Sequence, residues 1–140
     1  DKSVVSSAAA NGSLGTDVGA DEFKNGAELV YIHVEAADES GHRFEIDNKV
    51  KSIEKIDSEI LKPLTETLES AGEDYAILLL PDHPTPLWIR THSRDAVPYV
   101  LYSSKTKLGP NAISYNEFDI DKKNTVEKGH LLIKKLFSVK

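Results

Sequence analysis

Ile46, Val50, Ile53, Ile56, Ile60, Leu64 and Leu68 recur at three- and four-residue steps through the middle of the chain. That spacing is the apolar stripe of a helix packed on another layer. Pro63 interrupts the run. Having no N–H, and with a ring that collides with the preceding turn, it should kink the helix or split it in two. Gly72 supplies a C-terminal stop. On either side lies a short, nearly continuous apolar run, residues 29–34 (LVYIHV) and 75–80 (YAILLL). Such runs fit buried parallel strands. Strand, helix, strand is a βαβ unit, whose strands are parallel with a right-handed crossover. Residues 97–102 are a third expected strand, with Pro98 at an edge or at the strand's start. A last helix is expected over 126–137, where Leu131, Leu132, Leu136 and Phe137 share a face. The fold class is α/β, a sheet flanked by helices with mostly parallel strands.

The 140 residues suffice for one domain with a modest core. Residues 1–26, rich in Ala, Ser, Gly and Asp, are expected to be a flexible lead-in or loop, without a strand and with a short helix near 21–24. Residues 27–140 are expected to be the folded portion, with a polar, loop-like stretch over 103–124. The net charge of -6 argues against a nucleic-acid partner held by bulk electrostatics. No apolar run is long enough to span a membrane, no signal peptide is recognisable, and the cytoplasm is the default setting. The chain contains neither Met nor Cys. The first suggests a processed product or an excised piece of a longer protein. The second leaves His nitrogen and carboxylate oxygen as the ligands for any metal.

Ligands of open α/β sheets bind beyond the carboxyl ends of the strands. The first apolar run leads into Glu35-Ala-Ala-Asp38-Glu-Ser-Gly-His42. The second leads into Pro81-Asp82-His83-Pro-Thr-Pro86, followed by Thr91-His92. If the strands are parallel, both clusters meet at one sheet edge, and Asp38, His42, Asp82, His83 and His92 converge. Carboxylate with imidazole suits Zn²⁺, Mn²⁺ or Fe²⁺. Five such groups exceed the needs of one ion with an open position and suit two ions sharing a substrate, a common device for phosphate esters. Asp82 and His83 are adjacent, so a tight loop stiffened by Pro81, Pro84 and Pro86 is needed to turn both side chains to one ion.

Each piece alone is weak, because an isolated Asp-x-x-x-His occurs often by chance. Mid-strand, His33 fits a packed or hydrogen-bonded histidine. His130 fits a structural role in the last helix. Glu54 and Asp57 fit a solvated helix flank. Lys49 and Arg90 are first read as surface charges, although either could meet a phosphate. The joint placement of Asp38/His42 with Asp82/His83/His92 carries the metal reading.

The string Leu80-Pro-Asp-His-Pro-Thr-Pro86, with Arg90-Thr-His-Ser93 and Asp95-Ala-Val-Pro98, closely resembles the cofactor-independent phosphoglycerate mutases of archaeal type, members of the alkaline phosphatase superfamily. Val30-Tyr-Ile-His-Val-Glu-Ala-Ala-Asp-Glu-Ser-Gly-His42 resembles that family's other metal segment, with Ala37 where the family has Pro. Residues 49–57 and Gly129-His-Leu-Leu132 resemble further landmarks, and the resemblance runs from about residue 28 to the end. It implies part of an alkaline-phosphatase-like sheet. It also implies two divalent metal ions, Mn or Zn: Asp38, His42 and His92 would hold one, Asp82 and His83 the second. The substrate would be phosphoglycerate, its phosphoryl group carried between two oxygens through a phosphoserine. The nucleophilic serine and a further aspartate of that family come from an N-terminal part of the polypeptide, and no credible counterpart stands here, Ser3, Ser6 and Ser7 included. The resemblance thus implies a C-terminal catalytic portion, inactive alone, whose partner is the N-terminal part of its own domain. Alternatives are another metal-dependent phosphatase or phosphotransferase of that superfamily, an inert metal-binding fragment, and a binding module without metal.

Overall fold

The computed structural model describes residues 4–7, 21–23, 25–106, 114–118 and 122–139. The chain divides into two compact units, Asp1–Gly72 with Thr85–Ser93, and Glu73–Pro84 with Arg94–Lys140.

In the first unit, β1 (Val4–Ser7) pairs in parallel with β2 (Leu29–Ile32), Val4 opposite Leu29 and Ser7 opposite Ile32. The segment expected to lack a strand therefore contains one. Val4-Val5 favours extended backbone, since branching at Cβ stiffens the side chain and suits a pleated surface. Two valines are too short a signal to stand out in an Ala/Ser-rich context. The short helix expected near 21–24 is helical over 21–23 and closes at Gly26, which has φ +92; Lys24 and residues 8–20 lie outside the described residues.

After β2 comes a helix that periodicity does not announce, α1 (Ala36–His42). It ends in two hydrogen bonds, Glu45 N–H to Ser40 O (2.9 Å) and Phe44 N–H to Gly41 O (3.2 Å). This is the Schellman pattern, in which the residue after the cap is left-handed and usually Gly. Here it is Phe44, at φ +58. The penalty for a side chain in that region is about 1 kcal/mol, and the Arg90 guanidinium offsets part of it by stacking 5.1 Å from the Phe44 ring centroid.

The long helix is present as α2 (Ile46–Lys55), a π-helical stretch (Ile56–Leu61) and α3 (Lys62–Ala71). The interruption expected at Pro63 takes the form of the π stretch just before it. A widened turn suits a residue whose missing N–H and bulky ring cannot close an ordinary i→i−4 bond. Gly72, at φ +70, caps α3. The stripe has two fates along this helix. Ile60, Leu64 and Leu68 are 5–7% exposed, whereas Ile46, Val50 and Ile53 are 50–52% exposed. The proximal half is thus apolar and open to solvent.

In the second unit, β3 (Ala76–Leu79) and β4 (Val100–Ser103) pair antiparallel, Ala76 opposite Ser103 and Leu79 opposite Val100. Tyr75 closes one end of this ladder, donating its N–H to Ser104 Oγ (2.9 Å) and accepting from Ser104 N–H (3.0 Å). The helix α4 (Leu132–Ser138) follows a single 3-10 turn (Gly129–Leu131) and packs on β3, and the Ser103 hydroxyl donates to Val139 O at 2.8 Å. The mixture of helix and strand fits the α/β class. The parallel βαβ pairing of the 29–34 and 75–80 runs is not what these sheets show, because β2 is bonded to β1 and β3 to β4. The connection from β3 to β4 has no crossover helix, and an antiparallel pair needs none.

Gly72 supplies a stability test. A Cβ there would meet nothing within 4 Å, so Gly72→Ala should lose only the left-handed backbone preference, about 1 kcal/mol. Urea unfolding followed by circular dichroism should show a lower midpoint; an unchanged midpoint would contradict the cap.

Candidate metal centre

Asp38 and His42 stand four residues apart on α1, so one helix turn brings both to the same side. His42 Nε2 lies 3.3 Å from Asp38 Oδ2. His92 arrives from the loop at 85–93, its Nε2 3.1 Å from His42 Nε2 and 3.4 Å from Asp38 Oδ1. Ligand atoms of all three lie within 4.8 Å of one another. All three side chains are partly exposed, so the cluster is open to solvent and to a small ligand.

A turn after Pro86 aims the loop. Ile89 N–H and Arg90 N–H both donate to Pro86 O, at 3.2 and 3.1 Å, and Arg90 emerges left-handed at φ +53. The Arg90 carbonyl faces His42 Nδ1 at 2.9 Å. A carbonyl oxygen only accepts, so Nδ1 carries the hydrogen. The neutral ring then presents a bare Nε2 lone pair to the cluster. A backbone carbonyl on the outer nitrogen is the usual way a metal-ligating histidine is oriented.

The carboxylate is fixed as well. Thr85, a buried residue, donates its hydroxyl to Asp38 Oδ1. Lys49 reaches from α2 and donates to Ala37 O and Thr85 O, each at 3.1 Å. Gly41 makes room for this contact. A Cβ at that position would lie 2.8 Å from both Thr85 O and Lys49 Nζ, and 2.9 Å from Thr85 Cγ2. Beyond His42, Arg43 Nη1 donates to Glu39 Oε2 (2.6 Å) and Nε to Glu45 Oε1 (3.0 Å), which braces the end of α1. The Asn48 amide, and after it Arg43, holds the Glu45 carboxyl below the usual carboxylate range.

The donor set fits a divalent metal. Two imidazole nitrogens and one carboxylate oxygen lie close enough together for a single divalent ion to take all three as ligands. Three protein ligands also leave a position for a substrate oxygen.

Of the five residues expected in the site, Asp38, His42 and His92 come together in the first unit. Asp82 and His83 belong to the second unit. There the adjacent side chains do turn toward each other, His83 Nε2 lying 3.3 Å from Asp82 Oδ2, while the His83 N–H donates to Asp82 Oδ1 at 3.0 Å. His33, expected to be packed or hydrogen-bonded, has Nδ1 3.5 Å from the Tyr31 hydroxyl. Sequence reasoning missed Thr85, Gly41 and the roles of Lys49 and the Arg90 carbonyl. Of these, Gly41 carries a signal of crowding, since it stands between His42 and the buried Ser40 on one helix.

A model of the metalloenzyme superfamily matches residues 4–133. Relatives that bear the name 2,3-bisphosphoglycerate-independent phosphoglycerate mutase include the following three. That of Methanosarcina mazei is 42% identical over 90 residues, 64% of this chain and 23% of the relative. That of Methanothrix thermoacetophila is 45% identical over 83 residues, 59% of this chain and 21% of the relative. That of Metallosphaera sedula is 33% identical over 119 residues, 81% of this chain and 28% of the relative. The chain thus spans about a quarter of the length of these relatives. No solved structure matches it significantly.

Gly41→Ala tests the close approach. The added methyl should push Thr85 from α1 and weaken binding of Mn²⁺ at the cluster by about tenfold or more, read from the paramagnetic resonance signal of free Mn²⁺. Unchanged affinity would show that the contact does not set the ligand geometry.

Proposed function

Because the chain belongs to the metalloenzyme superfamily, we propose that Asp38, His42 and His92 hold one divalent ion, Mn²⁺ or Zn²⁺, in a phosphoryl-transfer enzyme. The whole protein, on this reading, is a phosphoglycerate mutase that interconverts 3- and 2-phosphoglycerate through a phosphoserine. The convergence of three ligands from two segments fifty residues apart carries the proposal. The names of relatives at 42–45% identity support the substrate class. Asp82 and His83 are proposed to ligate a second ion, and their approach to each other in a proline-bounded turn supports it.

Divalent ions in such a site neutralise phosphoryl oxygens and make a serine hydroxyl a better nucleophile. The chain's own residues contribute orientation. His42 is locked in one tautomer by Arg90, Asp38 is held by Thr85, and His92 completes the set from the loop. The nucleophile is proposed to lie outside these 140 residues, in an N-terminal part of the same polypeptide. That part is also the proposed partner of this chain, completing an alkaline-phosphatase-like sheet in which parallel strands predominate. The exposed proximal stripe of α2 supports a missing neighbour. A cytoplasmic setting belongs to the same reading; among the described residues no helix is long and apolar enough to cross a membrane.

In the full-length protein, His92→Ala and Asp82→Ala should each lower turnover of 3-phosphoglycerate by at least about a hundredfold. The 140-residue chain with Mn²⁺ should show none. Wild-type turnover in either variant, or mutase activity in the chain alone, would overturn the assignment.

A further inference from the structure

Lys49 is the feature that the proposed chemistry leaves unused. It is a half-buried cation on α2, and among the described residues no carboxylate forms an ion pair with its ammonium. It donates instead to two backbone carbonyls, Ala37 O and Thr85 O, both at 3.1 Å. Those carbonyls belong to the two pieces that must meet to form the metal cluster. Ala37 immediately precedes Asp38 on α1. Thr85 begins the loop that carries His92, and its hydroxyl holds Asp38 Oδ1. The missing side chain of Gly41 keeps open the space where the ammonium and the Thr85 carbonyl lie. Three elements are thus pinned at one point, without any atom of Lys49 belonging to the cluster.

We infer that Lys49 is a positioning residue for the metal site: its ammonium clamps α1 to the 85–93 loop through Ala37 O and Thr85 O, setting Asp38 for ligation. This rests on the reading that Asp38, His42 and His92 bind a divalent ion. Two physical effects make opposite forecasts. As a mere nearby positive charge, Lys49 repels a divalent cation, and its removal should tighten binding. As a clamp, it organises the ligands, and its removal should weaken binding although the repulsion is relieved. The sign of the change therefore identifies the role.

The test titrates the 140-residue chain with Mn²⁺, reading the free-ion paramagnetic resonance signal, for the parent and for Lys49→Met, Lys49→Arg and Lys51→Met. Lys49→Met keeps the apolar stem and removes the donors. It should weaken binding by about 10- to 100-fold, the range for groups that orient metal ligands from behind. Lys49→Arg keeps cation and donors and should restore most of the affinity. It also decides the matter if Lys49→Met does not fold, since a loss in Lys49→Arg as large as about a hundredfold would overturn the clamp. Lys51→Met removes an exposed charge from the same helix and should stay within about threefold of the parent. Equal or tighter binding in Lys49→Met overturns the clamp and leaves the metal reading standing. Failure of the parent to bind Mn²⁺ at all overturns the metal reading itself.

Discussion

The Asp38/His42/His92 cluster depends on one close approach, that of Gly41 on α1 to the Thr85 backbone. Beside it lie further contacts between the same helix and loop. With the helix and loop in contact there, the Thr85 hydroxyl reaches Asp38, the Arg90 carbonyl reaches His42, and Lys49 fits between. A Cβ at Gly41 would lie 2.8 Å from a backbone oxygen, which has no rotamer by which to retreat. Side chains that start on one helix and one loop are thereby held as a unit, as a site that must not rearrange on binding requires.

The backbone around the cluster departs from the ordinary at two non-glycine positions, Phe44 and Arg90, both left-handed. Each costs about 1 kcal/mol or more. They touch each other, the Arg90 guanidinium lying over the Phe44 ring. Phe44 ends α1 just beyond His42, and Arg90 turns its carbonyl onto the same histidine. The two departures thus act on one histidine, from its chain neighbourhood and from its Nδ1.

Much of this was legible in the residues. The three- and four-residue stripe marks the long helix, Pro63 and Gly72 mark its interruption and its end, and the Asp-His string marks the family. The three described cluster residues were all expected. The strand pairing was not, because pairing is a non-local choice made by whichever edge is free, and four-residue strands carry little register information. β1 escaped notice because Val4-Val5 is a two-residue signal, although the family match beginning at residue 4 includes it. The supporting shell was invisible for a different reason. Thr85, Lys49 and the Arg90 carbonyl act through side-chain reach and backbone direction, which no spacing rule encodes. The half-exposed stripe of α2 was equally hidden, since periodicity announces an apolar face without saying what covers it.

The central claim is that Asp38, His42 and His92 are metal ligands. The most direct measurement is a crystal structure of the Mn²⁺-soaked chain with anomalous scattering recorded at the manganese edge. The account predicts a peak bounded by Asp38 Oδ, His42 Nε2 and His92 Nε2, with His42 Nδ1 still donating to Arg90 O. A metal bound elsewhere with this cluster empty, or His42 ligating through Nδ1, would contradict it.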